Sequence, residues 1–362
     1  MHANSGDPRN AGTALGRAVA AVPAERFHGA DGRAVRPCTP AEVTHRHLAV
    51  LDVPPGANVL DIGLGSGLSA ALLARLAGEE GQVTAVEIHP GLARRAKALY
   101  AAHGDRVSVV VGDGLAGHAP HAPYDRILAG TTPPAVPDAW LRQLRPGGVL
   151  LSGVRVGDLP NGYAIARITA GAGEQPHRAE VFLGGYMPMI APERREDVTH
   201  VDAPDGSGRS ATVLGSCDPS DAAAFLAALT GGRHTAATPV EGAEWYHLKN
   251  WLLAVRPEGL LEATLERGNG IGLGVLTPDG TAHAALVTGA HLFADDSGSP
   301  ALDALTGLVR RWEESGAPRT HELGAELESG PGPEPGPDDG REAPAGADGT
   351  GGWWHVRLRT AR

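Results

Sequence analysis

Cysteine is nearly absent from this chain: Cys38 and Cys217 are the only two in 362 residues. They are too few for a disulfide framework and too few for a zinc site built on cysteine. Basic charge is short as well, with 31 lysines and arginines against 42 acids and a formal net charge of -11 at pH 7. Nucleic acid is therefore not an expected partner, because neutralising phosphates needs clustered cations. No apolar run approaches the length that spans a bilayer. The opening residues MHANSGDPRNAG also lack the apolar centre of a secretory signal. The expectation is a soluble cytoplasmic protein with no membrane partner and no metal. Abundant glycine, alanine and arginine beside little lysine point to a GC-rich bacterial genome. Oligomeric state is left open. The 42% hydrophobic content is enough for substantial cores, and the length favours two domains.

The most informative stretch is Val59 to Gly67, VLDIGLGSG. A short apolar run, Val59 to Ile62, reads as a buried strand that enters a tight turn at Gly63, Gly65 and Gly67. That turn opens a helix through Leu72, Leu73 and Leu76. In an open α/β sheet the crevice at such a strand end is where a ligand binds. A dinucleotide fingerprint would read G-x-G-x-x-G. Here it is D-x-G-x-G-x-G, and Asp61 beside the turn would repel a phosphate at close range. The loop suits S-adenosylmethionine, whose ammonium group Asp61 can hold directly or through water while Gly63, Leu64, Gly65, Ser66 and Gly67 let the backbone approach. One strand later, QVTAVEI ends in Glu87-Ile88, at about the interval where nucleotide folds place an acid on the ribose hydroxyls. A third strand, Val107 to Val111, ends in Gly112-Asp113-Gly114, where Asp113 can accept from the adenine amino group.

Along the chain, residues 1–13 show no periodicity and read as disordered, and Ala14 to Val22 as a short helix. A polar loop containing Pro37-Cys38-Thr39-Pro40 leads to a helix from Ala41 to Leu51, for which Thr39 with Glu42 forms a capping box. Beyond the glycine turn, strands and helices alternate: a helix over Leu92 to Tyr100, a strand over Tyr124 to Leu128, a helix over Ala139 to Leu144, and a strand over Val149 to Val156 opened by a turn at Pro146-Gly147-Gly148. Such alternation predicts a parallel, doubly wound α/β sheet. YAIARIT and AEVFLGGYMPM then supply an antiparallel edge.

VLDIGLGSG, TAVEIHP, VVVGDG, HAPYDRILAG, LRPGGVLLSGVRV and GGYMPM resemble, in order and spacing, the protein-L-isoaspartate O-methyltransferase family over residues 14–190. The resemblance implies a class I methyltransferase Rossmann-like domain over 14–195. It also implies transfer of a methyl group from S-adenosylmethionine to a peptide carboxylate, with S-adenosylhomocysteine as by-product. The departures fall on the substrate side. Repair members carry an I-S-x-P segment whose serine sits at the substrate carboxylate. Here Cys38 or Thr39 stands in its place, and both are candidate catalytic residues. The family's small-residue run after the fourth strand becomes Ala129-Gly130-Thr131-Thr132, which makes Thr131 and Thr132 candidate substrate contacts. A carboxylate is already ionised at neutral pH and needs no general base before attacking a sulfonium methyl. None of the 16 histidines is promoted to that role; His45, His47, His118 and His121 read as packing or surface residues.

A smaller α+β C-terminal domain is expected over 196–328 plus 352–362. Its elements are a helix at Ala222 to Leu229, an aromatic-rich apolar segment at Trp245 to Val255, a hairpin turned at Pro278-Asp279-Gly280, and a helix from Ala301 to Glu314. The tryptophans Trp245, Trp251 and Trp312 read as core. Residues 329–351 form a Pro/Gly/acidic loop with too little to bury. A final strand, Trp353 to Arg359, is expected to return to the hairpin. This accessory domain resembles extensions on isoaspartyl-methyltransferase relatives that tailor ribosomally made peptides such as lanthipeptides and graspetides. That resemblance implies methylation of an aspartate in a cyclised precursor peptide, the ester closing to a succinimide. An isoaspartyl repair enzyme with an added domain, and a non-catalytic module that only binds cofactor or peptide, are the other readings.

Overall fold

The computed structural model describes residues 12–173, 175–189, 197–238, 240, 242, 244–266, 268–332 and 352–360. The first part of the chain runs α1 (Ala14–Ala21), α2 (Ala41–Leu51), β1 (Asn58–Ile62), α3 (Leu68–Ala77), β2 (Gln82–Glu87), α4 (Pro90–His103), β3 (Ser108–Val111), β4 (Tyr124–Ala129), β5 (Val136–Pro137), α5 (Asp138–Arg142), β6 (Leu144–Arg155), β7 (Tyr163–Thr169) and β8 (Arg178–Phe182). The second part runs β9 (Val198–Asp202), β10 (Ser210–Leu214), α6 (Pro219–Gly231), β11 (His234–Ala237), α7 (Glu244–Val255), β12 (Leu260–Leu265), β13 (Gly268–Leu276), β14 (Ala282–Val287), β15 (His291–Ala294), α8 (Pro300–Glu314), β16 (Gly324–Gly330) and β17 (Trp353–Arg359).

The central strands β3, β2, β1, β4 and β6 pair in parallel, in that order. A parallel sheet covered on both faces needs strands without an alternating polar side, and β1 is buried from Val59 to Ile62. β7 and β8 then add antiparallel, as expected. They are not an edge. β16, β17 and β5 extend the same sheet to ten strands, whereas the remaining β strands of the second part form a separate seven-stranded sheet. The hairpin at Pro278-Asp279-Gly280 is present as β13 and β14. The final strand does not return to it; β17 lies between β16 and β5 in the first sheet. The two sheets share a continuous core around α7, where Trp245, Leu248, Trp251 and Leu252 meet Val154, Val156 and Leu159 from the first part and Val356 and Leu358 from β17. Trp312 of α8 is buried in the same core, so the three tryptophans are packing residues.

Three local expectations need correction. Thr39 does not cap α2: Pro40 occupies the cap position itself, with no side-chain cap bond. The Pro146-Gly147-Gly148 segment lies inside β6 as an irregularity, where the register with β4 jumps between Tyr124 and Arg126, and is not a turn ahead of the strand. Ser329 and Gly330, placed in the acidic loop from sequence, belong to β16. The rest of that loop from 333 to 351, and residues 1–11 of the expected N-terminal tail, lie outside the described residues; Thr13 caps α1 by accepting from the Gly16 N–H.

Candidate active site

The turn after β1 requires glycine for two separate reasons. At Gly63 the backbone is left-handed, with φ of 80°, and a Cβ there would come within 2.8 Å of the Thr131 methyl. At Gly67 φ is 98°, and a Cβ would meet the Tyr100 hydroxyl at 2.8 Å. Tyr100 donates to the Gly67 carbonyl at 2.8 Å, fixing the start of α3. Glu87 at the end of β2 then joins the two strand ends. Its carboxylate accepts the Gly65 N–H at 3.0 Å and the His89 N–H at 2.9 Å. Each oxygen keeps a further lone pair for a ligand. Asp113 at the end of β3 is exposed and accepts the Leu115 N–H at 2.9 Å.

Asp61 is fully buried behind the turn. One of its oxygens accepts from the Ser69 hydroxyl at 2.7 Å, and the other, Oδ1, has no hydrogen-bond partner. Burial pushes this carboxyl up to about 7; the Ser69 hydrogen bond opposes the shift and the charge of Glu87 adds to it. An orphaned carboxylate oxygen in a buried position is the complement of a cationic hydrogen-bond donor.

The glycine turn, Glu87 and Asp113 face a cavity of about 450 Å³. Its other wall comes from two segments distant in sequence. Residues 27–40 cross the glycine turn and bring Cys38 and Thr39 to the cavity. This strap is held by Arg95, which donates to the carbonyls of Ser66, Phe27 and His28 at 2.7 to 3.1 Å. Arg26 adds a bridge to the buried Asp105. The second segment is Gly185 to Met189, the end of the GGYMPM motif. The Tyr186 hydroxyl and His47 Nδ1 are 2.5 Å apart. Burial, then the neighbouring Arg46, lowers His47 to about 4, so it is neutral at physiological pH. Burial, then the Asp61 charge, raises the Tyr186 hydroxyl well beyond the usual phenol range.

Of the residues expected from sequence, Cys38, Thr39, Gly63, Leu64, Gly65, Ser66, Glu87, Ile88, Asp113, Gly114 and Thr131 line this one cavity. Asp61 and Gly67 sit behind it. Gly112 is not in its lining, and neither is Thr132, which is buried. The Thr132 hydroxyl donates to the Tyr186 carbonyl at 2.8 Å and accepts the Tyr186 N–H at 3.2 Å, so it braces the wall from behind. Residues missed from sequence are Ser69, Thr44, His47 and the Tyr186 to Met189 run. Ser69 had a local signal, in the first turn of the helix opened by the glycines. No lysine or arginine lines the cavity among the described residues; Glu87 and Asp113 supply its carboxylates.

The parallel order β3-β2-β1-β4-β6 followed by antiparallel strands, with a ligand crevice at the ends of β1, β2 and β3, defines the class I S-adenosylmethionine-dependent methyltransferase fold. Residues 38–171 match the family model of protein-L-isoaspartate(D-aspartate) O-methyltransferase (PCMT). The match takes in well under half of the chain, which over this region is similar to that family. It is 44% identical over 105 residues to the protein-L-isoaspartate O-methyltransferase of Methanococcus maripaludis, covering 29% of this chain and 50% of that protein. It is 47% identical over 111 residues to that of Methanopyrus kandleri (30% and 48%) and 39% identical over 150 residues to that of Aeropyrum pernix (41% and 56%). The chain thus spans about half the length of the curated relatives it matches. A solved protein-L-isoaspartate O-methyltransferase is similar with a TM-score of 0.44 and 15% identity, covering 96% of this chain and 95% of that one.

Proposed function

We propose that this protein is an S-adenosylmethionine-dependent carboxyl O-methyltransferase whose acceptor is an aspartate in a conformationally constrained, ribosomally made peptide. The observation that supports it most is the charge of the cavity: acids on the cofactor side, a buried carboxylate with one free oxygen behind, and no lysine or arginine in the lining among the described residues. That pattern fits a ligand with a sulfonium and an ammonium group and disfavours one with phosphates. Asp61 would hold the ammonium, Glu87 the ribose hydroxyls and Asp113 the adenine edge, with Ile88, half exposed at the mouth, against the base. When bound, the cofactor supplies an electrophilic methyl group.

The chain's own part is to place an acceptor oxygen in line with that methyl and to keep water out. Thr39, Thr131 and Tyr186 offer neutral hydroxyls on the acceptor side, with Cys38 beside them. With the cofactor bound, the acceptor carboxylate would take the methyl as the S–CH3 bond broke, with S-adenosylhomocysteine as the by-product. Attack by the following backbone amide on the new ester then gives a succinimide and methanol. The constrained-peptide reading is supported by where this chain departs from repair enzymes. Cys38 or Thr39 stands where the family has its serine, both lie at the cavity, and about half of the chain follows the matched region.

The test is methyl transfer to an unstructured isoaspartyl peptide, set beside a constrained aspartate-containing precursor peptide. Methylation of only the constrained peptide supports the proposal. Efficient turnover of the isoaspartyl peptide indicates a repair enzyme, and cofactor binding without any methylated or succinimide product indicates a binding module. On the cofactor side, Glu87→Ala is expected to weaken S-adenosylhomocysteine binding by about 1 to 3 kcal/mol through lost charged hydrogen bonds. Calorimetric titration checks this, and an unchanged dissociation constant would remove Glu87 from the site.

A further inference from the structure

The C-terminal extension contributes no residue to the cavity among those described, yet one of its strands ends against the loop that carries Thr131. That loop is short. It leaves β4 at Ala129, passes Thr131 in the cavity wall, and reaches β5 at Val136. At its near end the Gly130 N–H donates to the Ile62 carbonyl at 2.9 Å. In the middle, Thr132 is bound to the opposite wall: its N–H donates to the Met187 carbonyl and its carbonyl accepts the Met189 N–H, both at 2.8 Å.

The far end is paired with the extension. Trp353 and Trp354 of β17 pair with Pro137 and Val136 of β5. The Trp354 indole N–H donates to Asp138 Oδ1 at 2.9 Å, and the Asp138 N–H donates to the Gly352 carbonyl at 3.1 Å. The ring of Trp354 is set in turn by His177, edge-on at 5.2 Å. Val136 is almost completely buried in the shared core, so it cannot shift independently of the strand beside it.

We propose that Trp354 is a positioning residue for the methyl acceptor. By fastening β5 and Asp138 to β17, it fixes the 130–137 loop, and with it Thr131 and the Tyr186 to Met189 wall. The cofactor side has supports of its own, in Gly65, Glu87, Ser69 and Arg95, besides the bonds it shares with this region through Gly130 to Ile62 and Trp140 to Gly114. The extension therefore shapes the acceptor half of the site from behind.

This assignment rests on the acceptor reading above for its kinetic consequence, but not for its structural one. The experiment compares wild type with Trp354→Ala and with Trp354→Phe, which keeps an aromatic ring while removing the N–H donor and part of the indole volume. Amide hydrogen exchange is followed at 131–137 and, as control, at 62–67. Exchange at 131–137 is expected to quicken about tenfold in Trp354→Ala and about fivefold in Trp354→Phe, with 62–67 unchanged. The dissociation constant for S-adenosylhomocysteine should stay within about twofold, while KM for whichever peptide the wild type methylates rises several-fold. Unchanged protection at 131–137 in both variants, or cofactor affinity falling as far as acceptor turnover, overturns the proposal. If the wild type binds S-adenosylhomocysteine and methylates no peptide, the acceptor reading fails, and the exchange measurement alone decides whether the clamp exists.

Discussion

Asp61→Asn is expected to make the ligand-free protein more stable and the cofactor complex weaker. The wild-type carboxyl is fully buried, and its ionisation is disfavoured in the folded state, with the group raised from 3.8 to about 7. A raised folded value means that the native state holds the proton more tightly than the unfolded chain. The contribution to stability is full below the unfolded value and is lost as pH rises from about 3.8 to about 7. Above that window the ionised, half-partnered carboxylate costs roughly 4 kcal/mol, an order-of-magnitude figure. Asparagine has no ionisation to oppose and can still accept from Ser69, so its advantage should open between about pH 4 and pH 7 and then level off. Thermal melts of both proteins across that range check this; parallel curves would show that the carboxyl is not strained. The same variant should bind S-adenosylhomocysteine about 10- to 100-fold more weakly near pH 8, because it loses a charge-assisted bond to the ammonium group. Both results together would trace the unfavourable charge in the empty protein and the affinity for the cofactor to one carboxyl.

Glu262→Ala is expected to be the most damaging single change outside the cavity. Lys249 on α7 and Glu262 on β12 form an ion pair at 3.3 Å with side chains only 5% and 4% exposed. Glu262 also accepts the Asn161 backbone N–H at 3.1 Å and a second bond from the Asn161 side chain, which ties the second sheet to the loop between β6 and β7. Burial already lowers the Lys249 ammonium, with Glu262 holding it up. Removing the carboxylate leaves a buried cation beside the Trp245 ring, at 5.9 Å, with its ion-pair partner gone. The expected loss is about 3 to 5 kcal/mol. A Lys249→Met, Glu262→Leu double variant should lose far less, since it removes both charges and fills the volume. Denaturant titration of wild type and the two variants decides the matter. A single-variant loss below about 1 kcal/mol would mean that water reaches the pair.

What was legible in the sequence is what a short stretch of chain decides by itself. The turn at Gly63 and Gly67 needs left-handed backbone and close approach, so its glycines mark it directly. Glu87 and Asp113 follow because they end strands whose apolar runs are plain. Thr131 and Thr132 show where this stops: adjacent residues at the end of a strand point opposite ways, and only the first faces the cavity. The Tyr186 to Met189 wall was readable as an extended segment but not as a cavity lining, because its contact with Thr132 crosses 54 residues. β17 was readable as a strand, with Val356 and Leu358 inward, while its partner was not. Alternation specifies a buried face and says nothing of which edge receives it.

That last pairing bears on the order in which the molecule can be assembled. Asp138 and Trp354 are 216 residues apart, and β17 occupies an interior place in the first sheet, between β16 and β5. Strands β1 to β4 can pair as soon as they are synthesised, but β5 has no neighbour in the sheet until almost the whole chain has been made. Closing so long a loop is slow relative to local pairing. The nascent protein can therefore form the glycine turn well before it can fasten the loop that carries Thr131.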